Sequence, residues 1–241
     1  MLTLADIQIN PDHNWSDYHK TLKENGRVQI PNFFTEKTAS GLAAMIEQHK
    51  IWYLAYNEYD NYFESTLEDV MALSPQEISR FMQGVNKRAS THFQYVFWQY
   101  YITQAVDKNE NPGNPMHMLH DWTNGTDFIK LLQSLTGDQD VSWCDVFISR
   151  YDPGHFLTNH DDTHPKHNRT AAYTIGMTKD WNPNWGGHLV FLDKKGDIKE
   201  GFMPEFNTLS LFYNPQDHAV QMVTPSAGKS RVSLLGWANK E

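Results

Sequence analysis

His160 and Asp162 are separated by one residue, and His160-Asp161-Asp162 is the one His-x-acid tripeptide among twelve histidines in this 241-residue chain. The tripeptide falls at the end of a predicted strand. Side chains alternate along a strand, so positions i and i+2 project to the same side. An imidazole and a carboxylate can therefore share one metal, with Asp161 pointing away into solvent. His218 lies between the β-prone runs Leu209–Tyr213 and Ala219–Val223 and can supply a third ligand from another strand boundary. Two histidines and one carboxylate on one face of an iron leave three coordination positions open, the arrangement of non-haem Fe(II) oxygenases. Taken alone, such a tripeptide is more often a solvated turn.

Arg231 follows His218 by thirteen residues, with Ser233 two positions on and on the same strand face. A guanidinium matches a carboxylate with two parallel hydrogen bonds, and a nearby hydroxyl adds a third. An organic acid beside the metal would give a buried arginine its partner. An isolated Arg231 would read equally well as a surface residue on an edge strand. Gly186-Gly187 opens the run His188–Leu192, where paired glycines allow either a hairpin turn or a close backbone approach. Of the other histidines, His155, His164 and His167 read as a solvated loop flanking the first ligands, and His117, His120 and His188 remain unassigned. Cys144, the single cysteine, reads as a core residue.

These residues need a scaffold. After Val141 short β-prone runs follow one another between turn residues: Ser142–Tyr151, Phe156–His160, Thr170–Thr178, His188–Leu192, Thr208–Tyr213, Ala219–Val223 and Arg231–Trp237. No helical pattern intervenes, which excludes a βαβ fold and predicts an antiparallel sandwich, jelly roll or barrel. The first half reads mainly as helix. Trp15, Tyr18 and Leu22 share a face that Gly26 ends, and a short strand over Val28–Phe34 is interrupted by Pro31. Thr35 caps a helix with Ala39, Leu42, Ala43 and Ile46 on one side; Ser74, Pro75 and Glu77 form a capping box; Phe128, Leu131, Leu132 and Leu135 give a last apolar face closed by Gly137. Asp107–Pro115, rich in Asn, Pro and Gly, reads as a loop. We expect residues 1–140 to be a helical support region and 141–241 the β core, in one structural domain overall.

The net charge of −9 argues against nucleic-acid backbone binding and favours a basic partner. One cysteine excludes an internal disulfide and suits a reducing compartment. No signal peptide or membrane span is visible, so a cytoplasmic location is expected.

The stretch Tyr151-Asp152-Pro153-Gly154 through His160-Asp161-Asp162, then Trp181, Gly186-Gly187-His188-Leu189, resembles the prolyl 4-hydroxylase branch of the 2-oxoglutarate oxygenases. So does the continuation Pro204-Glu205-Phe206-Asn207, Leu209, Phe212, His218, Val220 and Arg231 to Trp237. It is most similar to the ribosomal-protein prolyl hydroxylases and their bacterial relatives. The likeness covers about residues 141–238, with a weaker match at Ile30-Pro31-Asn32-Phe33-Phe34. The likeness does not extend over residues 58–140.

The resemblance implies a double-stranded β-helix (jelly roll) core packed with N-terminal helices. It implies Fe(II) held by His160, Asp162 and His218, and Arg231 on the distal carboxylate of 2-oxoglutarate, assisted by Ser233. Tyr151 and Leu189 would line the cosubstrate pocket. O2 is the further substrate, and ascorbate the reductant such an iron centre would draw on. One position departs from the pattern: relatives carry a tyrosine on the distal carboxylate where this chain has Gly176. Either Tyr173 or another hydroxyl substitutes, or the pocket is roomier.

The substrate implied is a prolyl residue in a protein or peptide. The loop Asp107–Pro115 and the unassigned helical region are candidate walls of a groove wide enough for a chain. The alternatives are a free amino acid or other small metabolite, and a non-enzymatic cupin-like binding protein. The last leaves Arg231 and the three-ligand set without a reason to coexist.

Overall fold

The computed structural model describes residues 2–59 and 61–241. In chain order the elements are α1 (Trp15–Asn25), β1 (Arg27–Ile30), α2 (Glu36–Glu47), β2 (Tyr53–Glu58), β3 (Asn61–Thr66), α3 (Leu67–Met71), α4 (Pro75–Ala89), β4 (Tyr95–Tyr100), α5 (Ile102–Asp107), α6 (His117–Thr123) and α7 (Thr126–Thr136). They continue with β5 (Val141–Cys144), β6 (Phe147–Tyr151), β7 (Phe156–His160), β8 (Asn168–Gly176), β9 (Leu189–Leu192), β10 (Ile198–Phe202), β11 (Leu209–Tyr213), β12 (His218–Val220) and β13 (Arg231–Lys240).

Local chemistry sets the helix ends. Gly26 and Gly137 terminate α1 and α7 in the left-handed conformation, at φ 76° and 74°. The Thr35 hydroxyl accepts from the Thr38 amide at the start of α2, and Ser74 and Glu77 close a reciprocal capping box on α4. β1 stops at Ile30, before Pro31, which has no amide to donate.

The strands form one antiparallel sheet in the order β1-β11-β8-β13-β6-β4-β7-β12-β9-β10, with β2 and β3 extending from β4 and β5 pairing β13. The sheet curls until its ends meet. Arg27 on β1 pairs with Glu200 on β10 at 2.5 Å, and the Gln29 side chain donates to the Met203 carbonyl at 3.2 Å. The result is the nearly closed jelly-roll barrel expected, with helices packed outside. One apolar cluster fills the space between helices and barrel, including Leu22, Leu42, Phe128, Tyr173 and Leu234. A second, with Phe97, Phe147, Tyr151, Phe191 and Phe212, lines the interior.

Several expectations need correction. Residues 2–140 are not helical alone: they contribute β1 to β4, and β4 lies between β6 and β7. The expected strand Ser142–Tyr151 is two strands, broken at Asp145 and Val146. The loop after α5 lines a different cavity from the one that holds Arg231 and Ser233. Asn111 to Met116 line a cleft of about 620 Å³ with Met45, His49 and Ile51 at the end of α2. No helix among the described residues is long and apolar enough to cross a membrane.

Gly176 ends β8 where a Cβ would lie 2.0 Å from the Glu205 carbonyl oxygen. Gly176→Ala should therefore destabilise the protein by about 2 kcal/mol or more, as overpacking does. In a chain of this size that lowers Tm by roughly 5 °C. An unchanged melting curve would show that the 204–206 segment yields freely.

Candidate active site

β7 carries His160 at its last position, and β12 carries His218 at its first, paired in register across the sheet. Asp162 reaches the same point differently from the sequence reading. It lies beyond the strand, at φ 60°, so a left-handed turn and not strand alternation swings its carboxylate back. Aspartate tolerates that conformation better than most residues. Its carbonyl accepts from Arg169 Nη1 at 3.0 Å. Asp161 is exposed and accepts from the Thr163 amide instead.

The three side chains offer ligand atoms that all lie within 4.8 Å of one another. His160 Nε2 is 3.2 Å from Asp162 Oδ1, and His218 Nε2 is 3.5 Å from Asp162 Oδ2. Each imidazole has its other nitrogen on a backbone carbonyl, His160 Nδ1 on Thr158 at 3.0 Å and His218 Nδ1 on Gln216 at 2.7 Å. When Nδ1 donates there, Nε2 is left as the lone-pair nitrogen, the usual way a protein orients a metal-binding histidine. Burial, then the neighbouring His160, holds His218 down to about 4, so it is neutral at physiological pH. Burial opposes charge on Asp162 too, but His160 and His218 outweigh it and hold its carboxyl well below the usual range. Two imidazole Nε2 atoms and one carboxylate make a donor set that fits a divalent iron.

Arg231 and Ser233 face the same interior from β13. Arg231 is 4% exposed, has no salt-bridge partner, and its Nε has no hydrogen-bond partner among the described residues. Burial lowers its pKa, with Tyr151 opposing the shift. Arginine keeps its proton nonetheless. Its Cζ lies 5.2 Å from the centre of the Tyr151 ring. Its stem explains the glycine pair. Gly186 and Gly187 both have positive φ, 67° and 66°, and a Cβ on Gly187 would come within 3.2 Å of Arg231 Cδ and of Trp181. Leu189, Thr174, Ser210 and Gly176 line one cavity with Arg231 and Ser233. All seven residues read from the sequence thus face one interior.

Tyr173 does not take the place of the missing tyrosine. It faces the opposite side of β8, where its hydroxyl donates to the Asp145 carbonyl at 2.6 Å and its ring packs on Phe128. His155 is buried at 8% exposure, not solvated, and burial holds it down to about 4. His164 and His167 are both half-buried, their rings 4.4 Å apart, and His167 also packs on Trp143. His117 bonds Tyr100, and Cys144 is a core residue. Sequence reasoning missed Phe93, whose ring centre lies 5.5 Å from that of His160, and the aromatic series Phe93, Tyr95, Phe97 and Tyr151 leading inward from it. The alternating aromatics at 93, 95 and 97 were the available signal.

Residues 146–239 match the family model described as the 2OG-Fe(II) oxygenase superfamily. This agrees with the resemblance carried by the motifs. No curated protein matches in sequence. Among solved structures, a prolyl-4-hydroxylase from Pseudomonas putida is similar at a TM-score of 0.60 and 16% identity, covering 94% of this chain and 99% of that one. A 2OG-Fe(II) oxygenase-family oxidoreductase from Burkholderia pseudomallei gives 0.61 and 13%, covering 95% and 92%. A prolyl hydroxylase from Trichoplax adhaerens, in complex with a hypoxia-inducible-factor oxygen degradation domain peptide fragment, gives 0.58 and 14%, covering 95% and 94%. At these identities the likeness is one of fold.

A depressed histidine pKa has a testable consequence. Between about pH 6.5 and 4 the unfolded chain binds a proton at position 218 that the folded, metal-free protein does not. The metal-free protein should lose stability as pH falls through that window, and His218→Ala should remove part of the slope. His155 adds to the same trend. A slope identical in the variant, measured by thermal unfolding, would mean that His218 is not held neutral. The same variant should lose Fe(II) binding in calorimetry while keeping its fold.

Proposed function

We propose that the protein is an Fe(II)- and 2-oxoglutarate-dependent oxygenase that hydroxylates a C–H bond, with His160, Asp162 and His218 as the metal ligands. The observation that carries the reading is the pairing of a two-histidine, one-carboxylate cluster with a buried guanidinium that has no counter-charge among the described residues of the same barrel. Neither feature needs the other in a binding protein of the cupin type. An oxo acid that chelates the metal at one end and presents a carboxylate at the other accounts for both.

When bound, iron with 2-oxoglutarate and O2 supplies oxidative decarboxylation of the oxo acid coupled to hydroxylation of the substrate. The chain's own residues do the rest. Three ligands on one face leave the opposite side free. Arg231 fixes the far end of the oxo acid with a charge-assisted pair, and Ser233 adds a hydroxyl beside it. Leu189, Tyr151 and Phe97 exclude water along the length of the site, which strengthens the electrostatic contacts inside. Ascorbate is the reductant to test.

A prolyl residue in a protein or peptide is the substrate class we favour. Support comes from the motif resemblance, from two fold neighbours that are prolyl hydroxylases, one of them peptide-bound, and from a net charge of −9 that suits a basic target. Phe93, exposed just before β4, packs on His160, and Tyr59 is exposed against His92 in the same segment. Mass spectrometry of cell proteins with and without the active enzyme tests this. A +16 shift on proline, absent with the His218 variant, is expected; succinate release driven by a free amino acid with no shifted peptide would replace it with the small-molecule reading. A cytoplasmic location fits this reading.

Arg231→Gln should weaken 2-oxoglutarate by about thirtyfold or more while leaving Fe(II) affinity within a small factor, since a charged pair on a buried carboxylate contributes roughly 2–5 kcal/mol. Anaerobic titration followed by the visible charge-transfer band is the measurement. An unchanged constant would move the oxo acid to another wall of the barrel.

A further inference from the structure

Beside Arg231 the inner wall carries three small residues in one row. Gly176 on β8, Ser233 on β13 and Ser149 on β6 are register partners across adjacent strands. The Glu205 carbonyl blocks any side chain at 176, so the hydroxyls of this row come from the two serines. Both are fully buried, Ser149 at 0% and Ser233 at 1% exposure. Neither Oγ has a hydrogen-bond partner among the described residues, and Arg231 Nε has none either.

A hydroxyl buried without a partner is costly, and alanine would have filled the same volume without that cost. Directly opposed residues in an antiparallel pair have Cβ atoms about 5 Å apart, so the two hydroxyls can meet on one ligand. Arg231 projects from the same face of β13 two positions away. Three unsatisfied groups, each able to donate, thus lie on one face of two adjacent strands. A carboxylate, with two oxygens and about four acceptor sites, satisfies all of them.

We propose that Ser149 is a cosubstrate-binding residue: with Arg231 and Ser233 it donates to the distal carboxylate of the oxo acid. It supplies the hydroxyl that position 176 lacks. This rests on the oxygenase reading above. Ser149 sits on a strand before the metal-binding tripeptide, and the motifs assign it no role.

The test is anaerobic titration of the Fe(II)-loaded wild type, Ser149→Ala and Ser149→Cys with two probes. One is 2-oxoglutarate. The other is 2-oxopentanoate, which keeps the chelating head and lacks the distal carboxylate. Binding is read by the charge-transfer band and by calorimetry, and the metal-free proteins are melted in parallel. Both variants should bind 2-oxoglutarate about tenfold more weakly. Both should bind 2-oxopentanoate as the wild type does. The metal-free alanine variant should melt at the same temperature or higher, because removing an unpaired buried hydroxyl does not cost stability. Equal 2-oxoglutarate affinity in variants and wild type, equal weakening of both acids, or a lowered Tm without selectivity overturns the proposal and leaves the oxygenase reading standing. A wild type that fails to bind 2-oxoglutarate with Fe(II) overturns both.

Discussion

A guanidinium held in a packed interior with no opposite charge is the constraint that the rest of the barrel accommodates. Leaving a buried cation unpaired costs several kcal/mol, and Arg231 has no ion pair among the described residues. Its surroundings are shaped to keep it in place all the same. β13 lies between β8 and β6, so neither edge of the arginine strand is free. Gly187 withdraws its side chain to make room for the arginine stem, and the Tyr151 ring stacks near the guanidinium. A bound anion would give the guanidinium the partner it lacks among the described residues.

The other half of the site depends on residues far from the motifs. Gln94, just before β4, exchanges backbone and side-chain hydrogen bonds with Thr158: the Thr158 amide donates to the Gln94 carbonyl, and the Gln94 amide donates to the Thr158 hydroxyl, both at 2.9 Å. The carbonyl of Thr158 in turn orients the His160 ring. The support region is therefore linked by two residues to His160. β4 also brings Phe97 onto the Tyr151 ring, 4.8 Å between centres, which ties the same strand to the arginine end.

The two histidines, the aspartate and the arginine were legible in the sequence because their chemistry is narrow: few residue types can hold a metal ion, and few match a carboxylate. The barrel was legible from strand-length runs broken by turn residues. β4 was not, since Tyr-Val-Phe-Trp-Gln-Tyr is apolar on both faces and shows no alternation. A strand buried on both sides looks like any short apolar run. The route by which Asp162 returns to the metal was also hidden, because a left-handed aspartate has no sequence signature. Ser149 could not be singled out either: a serine in a strand is unremarkable until its lack of a partner is seen. Gly176 was read as a departure, but its cause, the carbonyl of Glu205 pressed against it, lies thirty residues away.

The order of strands in the sheet differs sharply from their order in the chain. β13, after every other strand in sequence, occupies an interior position and contacts β5, β6 and β8, while β1 waits for β11, with Arg27 opposite Phe212. Such long-range pairing delays productive collapse, because loop closure must precede the contacts that reward it. Before residues 231–240 are in place, β6 and β8 lack the partner that lies between them in the folded sheet. Until then the edges of both strands are open to pairing with a neighbouring chain. Assembly of the barrel is thus a race between insertion of its last strand and association of nascent chains, decided by the same segment that carries Arg231.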